Sequence, residues 1–219
     1  MPIDVIDGAR DAGALWRTYL GWLAEQVPQA TGLLNPPADE AAITELETLV
    51  GQRLPEAVKA GWRLHDGQVV DSDLGVAFGF WWQPVAKVAQ EWTSWRELRE
   101  EPDEDFFEDL NLSQRSYPEK AIKRRYTSPG WIPLLRWPFD GDYVGLDYDP
   151  GPLGRPGQVI NFGRDQERKF VIADEFSTLL AWLVQEAAAG HVDTGGSGLL
   201  HRDGILVNAL ADASGARFD

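Results

Sequence analysis

The chain has no cysteine, one methionine and only three histidines in 219 residues. Without thiols there is no disulfide framework, no thiolate zinc or iron–sulfur site and no cysteine nucleophile, and their absence suits a reducing compartment. His65, His191 and His201 stand at no i, i+3 or i+4 spacing, and no His-Glu-x-x-His run occurs, so the spacing predicts no metal site. Cations are scarce as well: 20 Lys and Arg against 35 Asp and Glu leave a formal net charge of −15. Such a field repels nucleic-acid phosphates and anionic membranes and attracts a basic protein, although acidity also serves plain solubility. No apolar run approaches the roughly 18 residues of a membrane span. Met1-Pro2-Ile3-Asp4 lacks the basic and apolar regions of a signal peptide, so the expectation is a soluble, cytoplasmic protein. Both kinds of Gly-rich phosphate loop are missing. Gly195-Gly196-Ser197-Gly198-Leu199 departs from the GxSxG nucleophile elbow at its fifth position, and Lys123-Arg124-Arg125 is too short and too outweighed by acid for nucleic-acid binding.

What the chain does have is aromatic mass and clear periodicity. Ten Trp and nine Phe supply a large core, since one buried Trp removes roughly 150–250 Å² from water. Leu15, Trp16, Tyr19, Leu20, Leu23 and Val27 form one stripe of a helix over 11–27, and Asn35-Pro36-Pro37 breaks the chain. A second helix over 38–50 turns Ile43, Leu46, Leu49 and Val50 inward and ends at Gly51. Pro55 suits the opening of a third, with Val58 and Trp62 on its buried face. His65-Asp66-Gly67-Gln68 then makes a turn. The run 74–82 predicts a strand in which Gly75 and Gly79 mark a bulge or a close approach. Helical spacing returns over 84–98 through Val85, Val88, Trp92 and Trp95. Strands are expected over 131–137, 142–148, 158–162 and 169–173, separated by turn-rich joints. A helix follows with Asp174 as N-cap, Phe176, Leu179, Leu180, Leu183, Val184 and Ala187 inward, and Gly190 at its end. In the tail, Asp203-Gly204 suggests a hairpin joining Leu199-Leu200 to Ile205-Leu206-Val207; a helix over 205–211 competes. N-terminal helices, a mostly antiparallel central sheet and a C-terminal covering helix make an α+β fold.

Several of these segments together resemble a known family. Leu54-Pro55, Trp62 and His65-Asp66-Gly67-Gln68 are similar to the opening of the SUKH superfamily, whose founding members are Smi/Knr-type regulators of cell-wall synthesis. Trp131-Ile132-Pro133 resembles its central strand. Gly141-Asp142, Leu146-Asp147-Tyr148-Asp149-Pro150 and Gly157-Gln158-Val159-Ile160 match its next two strands, and Phe176, Leu179, Leu180 and Leu183 its last helix. The likeness covers roughly 38–190, with 1–37 as an N-terminal helical extension and 191–219 as a tail. The long insert around 83–128 also departs from the compact pattern. The resemblance implies a SUKH-like fold and a binding protein without catalysis or cofactor. Its bacterial members resemble immunity proteins against polymorphic toxins, many of them nucleases; its fungal members resemble adaptors in cell-wall and signalling networks. The expectation is an immunity protein that binds a basic cognate toxin, with the adaptor as the alternative.

Candidate residues follow. The dense acid of Glu100, Glu101, Asp103, Glu104, Asp105, Glu108 and Asp109, interleaved with Phe106 and Phe107, fits a steering surface with aromatic anchors, or only a solvated face. Trp81 and Trp82 in one strand would point to opposite faces, which makes them further partner-binding candidates unless one packs under the following helix. Asp140 and Asp142, with Asp147 and Asp149, invite a weak cation or acid/base reading, against which stands turn formation. His65 beside Asp66 reads as a helix-end cap before it reads as a catalytic base; a hydrolase built on His65, Asp140 and Asp142 is the third reading. No catalytic residue is expected.

Overall fold

The computed structural model describes residues 11–100, 104–139, 141–195, 199–202, 204 and 206–216. The chain opens with α1 (Ala12–Gln26), whose Asp11 caps Gly13 N at 3.2 Å, and the single turn α2 (Pro28–Thr31). Then come α3 (Glu40–Val50), closed by Gly51 in the left-handed conformation, and α4 (Glu56–Leu64) after Pro55. The long α5 (Val85–Glu100) and α6 (Glu104–Ser113) occupy the insert.

The sheet combines β1 (Trp81–Trp82), β2 (Arg115–Tyr117), β3 (Trp131–Arg136), β4 (Asp142–Asp147), β5 (Gln158–Gly163) and β6 (Arg168–Ala173) in the order β1-β3-β4-β5-β6-β2. The four expected strands are antiparallel neighbours, as short joints favour. β2 was not anticipated: it lies parallel to β6, and three residues reading Arg-Ser-Tyr carry no strand periodicity.

Both faces of this sheet are covered, so the strands are buried throughout rather than alternately. On one face Ile132, Val144, Leu146, Val159, Phe170 and Ile172 share a core with α1, α3, α4 and α7 (Phe176–Ala188). On the other, Trp131, Tyr143, Ile160, Phe162 and Val171 pack with Ala121, Ile122 and Trp95 of α5. The tail adds β7 (Val192–Asp193), β8 (Leu200–His201) and α8 (Leu206–Ser214).

Three expectations are corrected. The run 74–82 is strand only at Trp81 and Trp82; before that it doubles back in a tight loop. A Cβ at Gly75 would stand 2.2 Å from Gly79 O, and the buried Gln68 side chain holds the loop by accepting from Val76 N (2.8 Å) and donating to Leu74 O (2.8 Å). Its apolar residues plug the core without an edge to pair with. In the tail, β8 pairs with β7, not with the segment after Gly204, which is helical; Leu206, Val207 and Leu210 bury one stripe of α8. At α7 the N-cap is Glu175 without a side-chain cap, while Asp174 pairs with Arg155 at 3.2 Å.

Candidate functional site

An open pocket of about 560 Å³ lies where α5 crosses the ends of β3 and β4. Its floor is aromatic. Tyr143, held rigid by β4, stacks on Phe162 (5.6 Å, 30°) and meets the edge of Trp95 at 6.4 Å. Trp95 in turn meets Tyr126 edge-on at 5.7 Å. Leu98 continues the α5 wall, and Phe139 in the β3–β4 turn stands at the mouth, 83 % exposed. Its ring meets Trp137 edge-on at 5.6 Å.

The polar groups converge on the same hollow. Tyr143 OH donates to Glu91 Oε2 at 2.7 Å, and the Arg136 guanidinium lies 3.7 Å from the other carboxylate oxygen. Burial pushes the Tyr143 hydroxyl far above the ordinary phenol range, and the Glu91 carboxylate adds to it; it stays a neutral donor. Arg136 Nε is buried without a hydrogen bond among the described residues, and Arg164 completes the lining. The hollow therefore offers aromatic faces, two cations, one carboxylate and the Ser94 side chain.

The acidic stretch borders this pocket along the chain. Glu97 and Glu100 are exposed near the end of α5, and Glu108 and Asp109 are exposed on α6. Phe107 is half-buried, 6.5 Å from the Tyr126 ring. Asp103 and Asp140, with Glu101, lie outside the described residues; Glu104, Asp105 and Phe106 are placed on α6 by their backbone alone.

The other candidates are placed elsewhere. Trp82 stacks on Trp16 at 4.3 Å in the main core, and Trp81 is buried with its Nε1 donating to Ser72 O at 3.0 Å and Arg136 over its ring. Neither presents a ring to solvent. Asp142 is buried and accepts from Asp165 N (3.2 Å) and Gln166 Nε2 (2.6 Å), pinning the β5–β6 turn. Asp147 is buried and accepts from Trp131 Nε1, Asp149 N and Gln158 Nε2; burial pushes its carboxyl up to about 6, against those donors. Asp149 is occupied by Lys123, Arg125 and Ser128. These aspartates organise turns and neutralise the basic run. His65 closes α4 through its backbone, yet its imidazole sits on Asn35 O at 2.8 Å rather than on the helix's own carbonyls, while Asp66 accepts from Val85 N at 2.7 Å and starts α5.

Sequence reasoning missed Tyr126, Arg136, Phe139, Tyr143 and Arg164, which come from the loop before β3, from β3, the β3–β4 turn and β4, and from the β5–β6 turn. One signal was available: an aromatic, Phe139, in a turn otherwise built of Asp and Gly. His191 and His201 were also left unpaired by spacing, and the β7–β8 pairing brings both onto Glu186.

The SMI1 / KNR4 family (SUKH-1) model matches residues 37–182. The chain is 28% identical over 213 residues to the cell wall assembly regulator SMI1 of Saccharomyces cerevisiae, covering 84% of this chain and 42% of that protein. It is 32% identical over 187 residues to the cell wall biosynthesis/cell cycle regulator smi1 of Schizosaccharomyces pombe, covering 78% and 37%. To the glucan synthesis regulatory protein of Neurospora crassa it is 26% identical over 203 residues, covering 80% and 38%. The chain thus spans about two fifths of the length of these curated relatives.

Proposed function

The chain belongs to the SMI1/KNR4 (SUKH-1) family, and from that premise we propose that it is a non-catalytic adaptor, a regulatory protein that acts by holding a protein partner. This reverses the order drawn from the family resemblance, which put the immunity role first: the relatives named above are regulators of cell-wall or glucan synthesis, and the toxin-binding reading has no observation of its own beyond acidity.

The observation that carries the proposal is the aromatic hollow with Phe139 exposed at its mouth. Binding hot spots form where a desolvated aromatic pocket takes an anchor from a partner and a charged rim surrounds it. Here Trp95, Tyr126, Tyr143 and Phe139 supply the pocket and the exposed acid of α5 and α6 the charge. The partner that fits presents an apolar or aromatic anchor beside basic residues, and it is met in the cytoplasm.

The test is affinity capture from the source cell by the wild-type chain and by Phe139→Ala, followed by dissociation kinetics on the captured partner. Losing a hot-spot ring costs more than about 1.4 kcal/mol, so the variant should release the partner on the order of ten times faster. Identical capture and release by the two proteins would move the binding face elsewhere on the molecule.

A further inference from the structure

Glu186 sits in the last turns of α7, His191 just past the helix end, and His201 on β8. The fold brings one ligand atom from each within 4.8 Å of the others. Glu186 Oε2 lies 2.7 Å from His191 Nδ1 and 2.8 Å from His201 Nε2. The His201 side chain is only 3% exposed and stacks on Trp182 at 5.5 Å, so its ring is fixed, whereas Glu186 and His191 are 19% and 29% exposed and line the way in.

Two imidazoles aimed at one carboxylate oxygen are more than a tail needs for anchorage, because a single hydrogen bond to a neutral partner would satisfy a buried His. We infer that Glu186, His191 and His201 are a binding site for one divalent transition-metal ion, with Zn²⁺ the best fit.

Donor chemistry makes that choice. Two imidazole nitrogens and one carboxylate oxygen suit zinc and its neighbours, whereas magnesium and calcium take oxygen shells. Zinc binds such ligands at about 2.0–2.2 Å, which sets tetrahedral ligand separations near 3.4 Å. The two N···O distances must open by about 0.6–0.7 Å and the imidazoles draw together, and the partly exposed His191 is the ligand freest to move. Each imidazole would then turn a lone pair, in place of a proton, toward the centre. A water on the exposed side would complete the shell. Bound metal would clamp the tail to α7, since β8 leads directly into α8.

The experiment uses the full chain, stripped with a chelator and dialysed, then titrated with ZnCl₂ or MgCl₂ by calorimetry and followed by thermal unfolding. One Zn²⁺ should bind per chain and raise Tm with concentration, as any ligand of the native state does, and Mg²⁺ should do neither. Glu186→Gln and His191→Ala keep the buried His201 in place, and circular dichroism checks that both are folded. Each should weaken Zn²⁺ by more than the roughly 10–100-fold lost with an outer-shell partner. Absence of saturable one-to-one Zn²⁺ binding in the wild type, or wild-type affinity in either variant, overturns the assignment.

Discussion

Lys169 is 1% exposed on β6, with its Nζ donating to Gln114 Oε1 and to Gln166 O at 2.6 Å and lying 5.4 Å from the Trp131 ring. Burial pulls its pKa down from 10.5 to about 7, while Asp142 and Glu167 resist the fall. A base whose folded pKa is depressed gives stability that is present above the unfolded pKa and lost as pH falls toward the folded one. Between about pH 10.5 and 7 the wild type should therefore lose stability relative to Lys169→Met, by up to the order of 4 kcal/mol. The Met variant leaves two acceptors unpaired at every pH, so the slope of the difference in denaturant unfolding against pH is the readout; a flat difference would mean that Lys169 stays charged. Gly61 makes a second single-residue case. A Cβ there would stand 2.6 Å from the Trp16 ring, whose Nε1 donates to Ala57 O at 2.7 Å. Gly61→Ala improves helix propensity, yet it should destabilise the chain by about 1–3 kcal/mol through overpacking of α1 on α4, seen as a lower Tm. Neither effect is legible in the sequence: Lys169 reads as one more surface cation at a strand start, and Gly61 as a weak point inside a helix.

At the scale of elements, the insert is where function and sequence separate. α5 was legible from Val85, Val88 and Trp92, all buried. Its remaining aromatic, Trp95, belongs to the second face of the sheet and to the pocket, which no helical spacing could say, because the other walls arrive from the β3–β4 and β5–β6 turns. The charges of α5 and α6 give an element-scale prediction. Exposed charges are screened beyond about 10 Å at 0.1 M salt and act chiefly on the rate of association. Replacing Glu97, Glu100, Glu108 and Asp109 by their amides should slow association with the captured partner and flatten its salt dependence. Dissociation should hardly change, and stability should move by less than about 0.5 kcal/mol. Surface plasmon resonance at several ionic strengths checks this; an unchanged association rate would reduce the stretch to a solubility feature. The contrast with Phe139→Ala, which acts on release, separates steering from anchoring.

Across the whole molecule, the segments outside the matched 37–182 are packed into the same core. Trp16, Tyr19 and Leu23 of α1 are joined there by Leu199, Leu206 and Leu210 of the tail, the last three fully buried. Truncation after Gly190 would uncover that surface. At roughly 25 cal/mol per Å² removed from water, three buried leucines alone represent several kcal/mol, so the truncated chain should unfold at markedly lower denaturant concentration than the full chain. A midpoint within error of the full chain's would show that the tail is dispensable.

Elements with strong periodicity were readable without coordinates, because a buried stripe on a helix and a run of apolar residues bounded by turns are local properties of the chain. α1, α3, α4, α7 and the four long strands are of this kind, and so is the α+β class that their order implies. Pairings between distant segments were not readable. β2 joins β6 across more than fifty residues, the 74–82 loop folds on Gln68, β7 and β8 pair within the tail, and His191 meets His201 on Glu186. Each depends on which surfaces remain uncovered once the helices and the sheet have packed. The aromatic hollow is a product of the same step: its residues are individually ordinary, and only the crossing of α5 over β3 and β4 sets Trp95, Tyr126 and Tyr143 around one space and leaves Phe139 in the solvent.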